Sequence, residues 1–143
     1  MNVRIHQTGT SRYFALVEEG VWHFANGGTW TACEGQLVLK MGGSGTSGLL
    51  RFSDGADIFF IVALGIHNYK PWLDISPDLA SDDTVVAVHS DWYKDESERG
   101  KNREAQTEKI ETKDKKGNVL SASISKSADA EFWVTIVIGQ EKS

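Results

Sequence analysis

IFFIVALGI, from Ile58 to Ile66, is the longest apolar run in the chain, and it has the length of a strand. It falls far short of the roughly 20 residues needed to cross a bilayer. LLRFSD, Leu49 to Asp54, precedes it, and Ser53-Asp54-Gly55 between the two carries turn chemistry, so the pair reads as a β-hairpin extending to DIFFIVALGIH, Asp57 to His67. The same alternation marks VRIHQ (Val3–Gln7), YFALVE (Tyr13–Glu18), QLVLKM (Gln36–Met41), TVVAVH (Thr84–His89), NVLSASIS (Asn118–Ser125) and FWVTIVI (Phe132–Ile138) as strands. Thr8-Gly9-Thr10-Ser11 joins the first two, and Lys115-Lys116-Gly117-Asn118 is a second hairpin signal. Strands this short bury their apolar faces by stacking two sheets, which predicts an all-β, two-layer antiparallel β-sandwich. Helix is scarce. The best helical stretch, Asp91 to Gln106, is rich in charge and poor in apolar face.

With 143 residues, 40% of them hydrophobic, the chain reads as a single domain, 1–143, able to bury a core without staples. The lone Cys33 excludes an internal disulfide, and the opening MNVRIHQTGT has no apolar leader, so a cytoplasmic protein, released if at all by a non-classical route, is expected. A net charge of −5 opposes a nucleic-acid partner, whose phosphates demand cations. Arg99, Lys101 and Arg103 are offset by Glu96, Glu98 and Glu104, as on a solvated surface. Only Gln140 to Ser143 resemble a loose tail.

GGSGTSG, Gly42 to Gly48, contains a G-x-G-x-x-G pattern at Gly43, Gly45 and Gly48. A strand follows it rather than a helix, and no lysine-serine or lysine-threonine pair or kinase signature accompanies it, so a nucleotide site is not expected. Cys33 and His23 have nothing that brings them together as nucleophile and base. His6, His23, His67 and His89 lack metal spacing. Asp54, Asp57, Asp82 and Asp83 suit turns and caps better than glycoside hydrolysis. No catalytic residue, cofactor or metal is therefore expected. Most of Trp22, Trp30, Trp72, Trp92 and Trp133 should lie in the core. What remains is the glycine-rich stretch and His67-Asn68-Tyr69 at the end of a long strand. A sugar needs an apolar platform beside rigid donors and acceptors, and an asparagine amide offers both kinds of group to neighbouring hydroxyls.

VWHFANGGTW (Val21–Trp30), GGSGTSGLLRF (Gly42–Phe52) and GIHNYKPWLDI (Gly65–Ile75) resemble, in matching order, signature segments of the fungal fruit-body lectin family. The C-terminal half is more diverged, and EFWVTIVIG (Glu131–Gly139) fits the pattern loosely. The resemblance implies an actinoporin-like β-sandwich and non-catalytic binding of glycans bearing Galβ1-3GalNAc (the Thomsen-Friedenreich or T-antigen), GalNAc or galactose. It also implies a homodimer or homotetramer and a defence role against grazers. Carried onto this chain, the primary site comprises Ala25, Asn26, Ser44, Gly45, His67, Asn68 and Tyr69. The Ser44 hydroxyl and Gly45 backbone would meet ligand oxygens, and Ala25 would leave room for an acetamido methyl. The family's second site, for terminal N-acetylglucosamine (GlcNAc), is matched at Asp74 and Ile75. Pro77 stands where a threonine is usual, and Ile110 lies near the place of a tyrosine. The arginine is Arg99 or Arg103, and KNRE (Lys101–Glu104) favours Arg103. Such departures imply a weakened, altered or lost second site. The alternative is a membrane-active, actinoporin-like cytolysin. That class inserts an N-terminal amphipathic helix, and because Met1 leads straight into VRIHQ, no membrane insertion is expected.

Overall fold

The apolar run becomes a strand whose successive residues from Phe60 to Leu64 are all buried, so both of its faces are covered. The computed structural model describes residues 1–8, 13–22, 28–33, 36–41, 45–94, 96–126 and 131–140. The strands are β1 (Asn2–Thr8), β2 (Ala15–Trp22), β3 (Gly28–Cys33), β4 (Gln36–Met41), β5 (Ser47–Ser53), β6 (Phe59–His67) and β7 (Lys70–Ser76). After the helices α1 (Val85–Val88) and α2 (Glu98–Ala105) come β8 (Lys109–Lys113), β9 (Asn118–Lys126) and β10 (Phe132–Gln140). One sheet has the order β3-β4-β1-β10-β9-β8, the other β2-β5-β6-β7. Among the described residues every pairing is antiparallel except β1 with β10.

Two cores result. Between the sheets, Val3, Leu39, Leu120, Val134 and Ile136 meet Leu50, Phe52, Phe60, Val62 and Leu64. On the far side of the four-stranded sheet, Leu49, Ile61, Ala63 and Trp72 are roofed by Val85, Val88 and Trp92. A sheet covered on both sides reads as a continuous apolar run rather than an alternating one, which accounts for IFFIVALGI.

The helical roof corrects one expectation, since TVVAVH is not a strand. Thr84 caps α1, its Oγ1 accepting from the Ala87 N–H at 3.2 Å, and a 3-10 turn continues from His89 to Tyr93. Val85 and Val88, three residues apart, face the sheet, whereas Val86 is 86% exposed. Docking on the sheet has overridden the β preference of three valines. Val85 packs where a side chain at position 20 would stand, so Gly20 is what lets α1 approach β2. The helix expected over Asp91–Gln106 is split, with only Glu98–Ala105 α-helical. Three strands were not legible: β3, β7 and β8. All three are sheet edges, where short, charged or proline-bearing sequence discourages stray pairing and weakens the hydrophobic signal. Of the first linker, Gly9 to Ser11 lie outside the described residues.

Candidate functional site

β6 ends at His67, and Asn68-Tyr69 turn the chain into β7, where His67 pairs with Lys70. Both turn residues have positive φ, 49° and 63°, the geometry of a two-residue hairpin loop whose favoured sequence is Asn-Gly. Gln106 holds the turn from outside, its Nε2 donating to the carbonyls of His67 and Lys70. The end of the glycine-rich loop is fastened to the same place. Gly45 donates its N–H to the Ile66 carbonyl at 2.8 Å, and Ile66 returns its N–H to Thr46 at 3.1 Å. With φ at 96°, position 45 suits glycine.

Helical residues brace this corner. Ser47 Oγ lies 2.9 Å from His89 Nε2 and 2.6 Å from Tyr93 Oη, which donates to the Gly45 carbonyl at 3.2 Å. One polarity satisfies the whole chain: His89 Nε2–H to Ser47, Ser47 to Tyr93, Tyr93 to Gly45. Trp22 stacks on Tyr93 with centroids 5.2 Å apart. Both Gly45 backbone groups are thus engaged within the protein. The Gly45 N–H, which the resemblance implied would meet a ligand oxygen, is therefore already spent, and what position 45 leaves open is the space of a missing side chain.

Arg103 ties this brace to His67. Its Nε donates to the Trp92 carbonyl at 2.7 Å, its Nη1 lies 2.8 Å from His67 Nδ1, and its guanidinium sits over the Tyr93 ring at 4.8 Å. An arginine only donates, so Nδ1 accepts and the neutral ring carries its hydrogen on Nε2. Asn68 Nδ2 stands 3.3 Å from that nitrogen. Two donors cannot pair, so the hydrogen-bonded arrangement has the amide turned about its Cγ bond, with oxygen toward Nε2–H and NH2 facing solvent. Burial, followed by the Arg103 charge, pushes the His67 pKa below its ordinary value of 6.5. The sign follows from proton uptake. Above pH 6.5 His67 leaves stability untouched, and below it the unfolded ring protonates first, so stability falls until the lower folded pKa is passed. Urea unfolding of wild type should therefore weaken between about pH 7.5 and about pH 5.5, and His67→Gln should weaken less. Equal losses in the two proteins would acquit His67.

The residues expected at a second site do not gather at the surface. Asp74 is 3% exposed, with Oδ2 accepting from Trp92 Nε1 at 2.9 Å and Asn102 Nδ2 at 3.1 Å, and Oδ1 from the Ile75 N–H at 2.9 Å. Burial raises its pKa, opposed by these hydrogen bonds and the Arg99 charge. Ile75 lies in the sandwich core. Arg103 is turned to His67, whereas Arg99 bonds Ser76 Oγ at 2.9 Å and Asp91 Oδ2 at 2.7 Å and lies 5.0 Å over the Trp92 ring. Thus Arg99, rather than the favoured Arg103, is the arginine in Asp74's neighbourhood. Ile110 packs against the core.

Of the expected primary site, Gly45, His67, Asn68 and Tyr69 converge, while Ala25, Asn26 and Ser44 lie outside the described residues. Sequence reasoning missed Ser47, His89, Tyr93 and Gln106 as the frame of this corner. No spacing marks them, because they come from a strand and a helical roof that meet only in three dimensions.

Comparison with known proteins agrees with this architecture. Over 94 residues the chain is 42% identical to the Boletus edulis lectin, an alignment covering 65% of this chain and 66% of that protein. The fold is similar to the crystal structure of the wild-type Xerocomus chrysenteron lectin, with a TM-score of 0.89, 34% identity and 96% of each chain covered. A methionine-substituted form of that lectin gives the same TM-score over 96% of this chain and 94% of the other. Residues 1–136 match the family described as fungal fruit body lectin. With the four-stranded sheet, the helical roof and all of the six-stranded sheet but the last four residues of β10 inside that match, the chain belongs to the fungal fruit body lectin family.

Proposed function

We propose that this chain is a non-catalytic, carbohydrate-binding lectin whose primary site takes Galβ1-3GalNAc. The observation that carries the reading is the convergence of Gly45, His67, Asn68 and Tyr69 at one corner of the four-stranded sheet. Asn68 spends its amide oxygen on His67 and keeps its NH2 for a sugar hydroxyl. Tyr69 presents an apolar face, and Gly45 lets a ring approach the backbone closely. Ala25, Asn26 and Ser44 complete the set. Asp74, its oxygens already engaged, is structural in this reading, and a GlcNAc site built on Asp74, Ile75 and Arg103 is lost. Single sugar sites are weak and act through several copies, so a homodimer or homotetramer belongs to the proposal.

Calorimetric titration with Galβ1-3GalNAc tests the assignment. Wild type should bind saturably at one site per chain, and Asn68→Asp, which keeps the turn but removes the NH2 donor, should bind roughly 30-fold more weakly. Folded wild type that binds nothing, or a variant that binds as well as wild type, would sink the assignment.

A further inference from the structure

We propose that the Asn68-Tyr69 turn also borders a subsite for one further neutral pyranose, an inference that rests on the primary site just described. Beside the turn lies a groove of about 330 Å³ lined by Tyr69, Lys70, Pro71, Glu108, Ile124 and Phe132. It opens where the start of β7 in one sheet meets β9 and β10 of the other.

Tyr69 is the first indication. A bulky side chain at φ 63° is uncommon and strained, and glycine is the residue this turn position favours. The side chain is 87% exposed, so most of its ring is open to solvent beside the groove. An exposed aromatic held in an unfavourable backbone conformation is well placed to meet something from outside.

The lining gives the ligand's chemistry. Ile124 and Phe132, partly buried against the core, form an apolar floor with Pro71. Exposed Lys70 supplies donors, and exposed Glu108 supplies acceptors. An apolar floor takes the C–H face of a sugar ring, and the two rim groups take its hydroxyls. The opposed charges favour a neutral sugar over an acidic or a basic one. The walls are also fixed in advance: Gln106 holds the Lys70 carbonyl, Ile124 donates its N–H to the Glu108 carbonyl at 2.8 Å, and Leu73 donates to the Thr107 carbonyl at 3.0 Å. A preformed groove loses little freedom on binding.

The experiment is calorimetry with three probes: Galβ1-3GalNAc and two trisaccharides that add one neutral hexose, at the reducing end or on the galactose. One trisaccharide should bind wild type about five- to tenfold more tightly than the disaccharide. The double variant Lys70→Ala/Glu108→Ala should lose that gain and keep wild-type affinity for the disaccharide. Tyr69→Gly should raise Tm by about 2–4 °C while abolishing the trisaccharide's advantage. Equal affinity of wild type for all three probes would overturn the subsite and leave the lectin reading standing. A gain that survives both variants would place the extra contact elsewhere and overturn it too. Folded protein that binds none of the three would remove the primary reading and the subsite with it.

Discussion

Replacing Asp74 by alanine should cost about 3 kcal/mol of folding free energy, a fall in Tm of roughly 10 °C for a chain of this size. The carboxylate accepts from three donors, and two of them, Trp92 Nε1 and the Ile75 N–H, are buried with no solvent to turn to, while the third, Asn102 Nδ2, belongs to an exposed residue. Trp92 and Asn102 belong to the helical roof and Ile75 to β7, so the group fastens one to the other. Alanine leaves Trp92 Nε1 and the Ile75 N–H unpaired, and an unpaired buried donor costs its full desolvation penalty, whereas the Asn102 amide can turn to water. Asparagine separates the contributions. It keeps an acceptor for Trp92 and Asn102 but sets an NH2 against the Ile75 N–H, and should cost about 1–2 kcal/mol. Urea unfolding followed by tryptophan fluorescence reads both variants. If the cost of an ionised, buried carboxylate outweighs its hydrogen bonds, asparagine will equal or exceed wild type at neutral pH, and this account of Asp74 fails.

The same geometry gives the helical roof its place in the lectin proposal. Arg99 bridges Ser76 and Asp91 across the Trp92 ring, and Asp74 anchors that ring from below. A segment that began as a source of second-site residues is a packed layer, and its other edge supplies Tyr93 and Arg103 to the primary corner. Binding at that corner should therefore depend on residues that never touch the sugar.

How much of this could be read in the chain alone follows from which interactions are local. Hairpin β5–β6 was legible because Ser53-Asp54-Gly55 separates two apolar runs. Asp54 has the turn role expected of it, its Oδ1 accepting from the Ala56 and Ile58 N–H groups at 2.9 and 3.1 Å. His67-Asn68-Tyr69 was legible as a cluster at a strand end. That Gly45 lies beside it needs the β5–β6 register, in which Ser47 faces Gly65. Turn chemistry alone does not supply a register. TVVAVH has the pattern of a strand, and only an already formed sheet face turns it into a helix with Val85 and Val88 inward. His89 was hidden with it, and Tyr93 lay in the charge-rich stretch read as the best helix. Arg103 was read as one charge in a solvated run and, by resemblance, as the arginine of the second site. Its partners are the Trp92 carbonyl and His67 Nδ1, 11 and 36 residues away, and no local pattern joins them.

Arg103→Ala should have the largest effect on the site itself. The guanidinium fork spans two acceptors and covers Tyr93, so its loss removes two hydrogen bonds and a cation–π contact. About 2–3 kcal/mol of stability should go with them. Binding of Galβ1-3GalNAc should weaken roughly tenfold or more, because the ring that orients Asn68 and the tyrosine that holds Gly45 both lose their support. One readout separates positioning from mere packing. Burial and the Arg103 charge together hold the His67 pKa down, so removing the charge should let it rise toward its ordinary value, which NMR titration of the imidazole reports. Arg103→Lys keeps a positive charge but cannot present two donors in the fork geometry. It should leave the His67 pKa low while recovering less than half of the lost affinity. Should Arg103→Ala be destabilised with both the imidazole titration and the affinity unchanged, Arg103 is only a strut of the helical roof, and His67 is oriented by Gln106 and the turn alone.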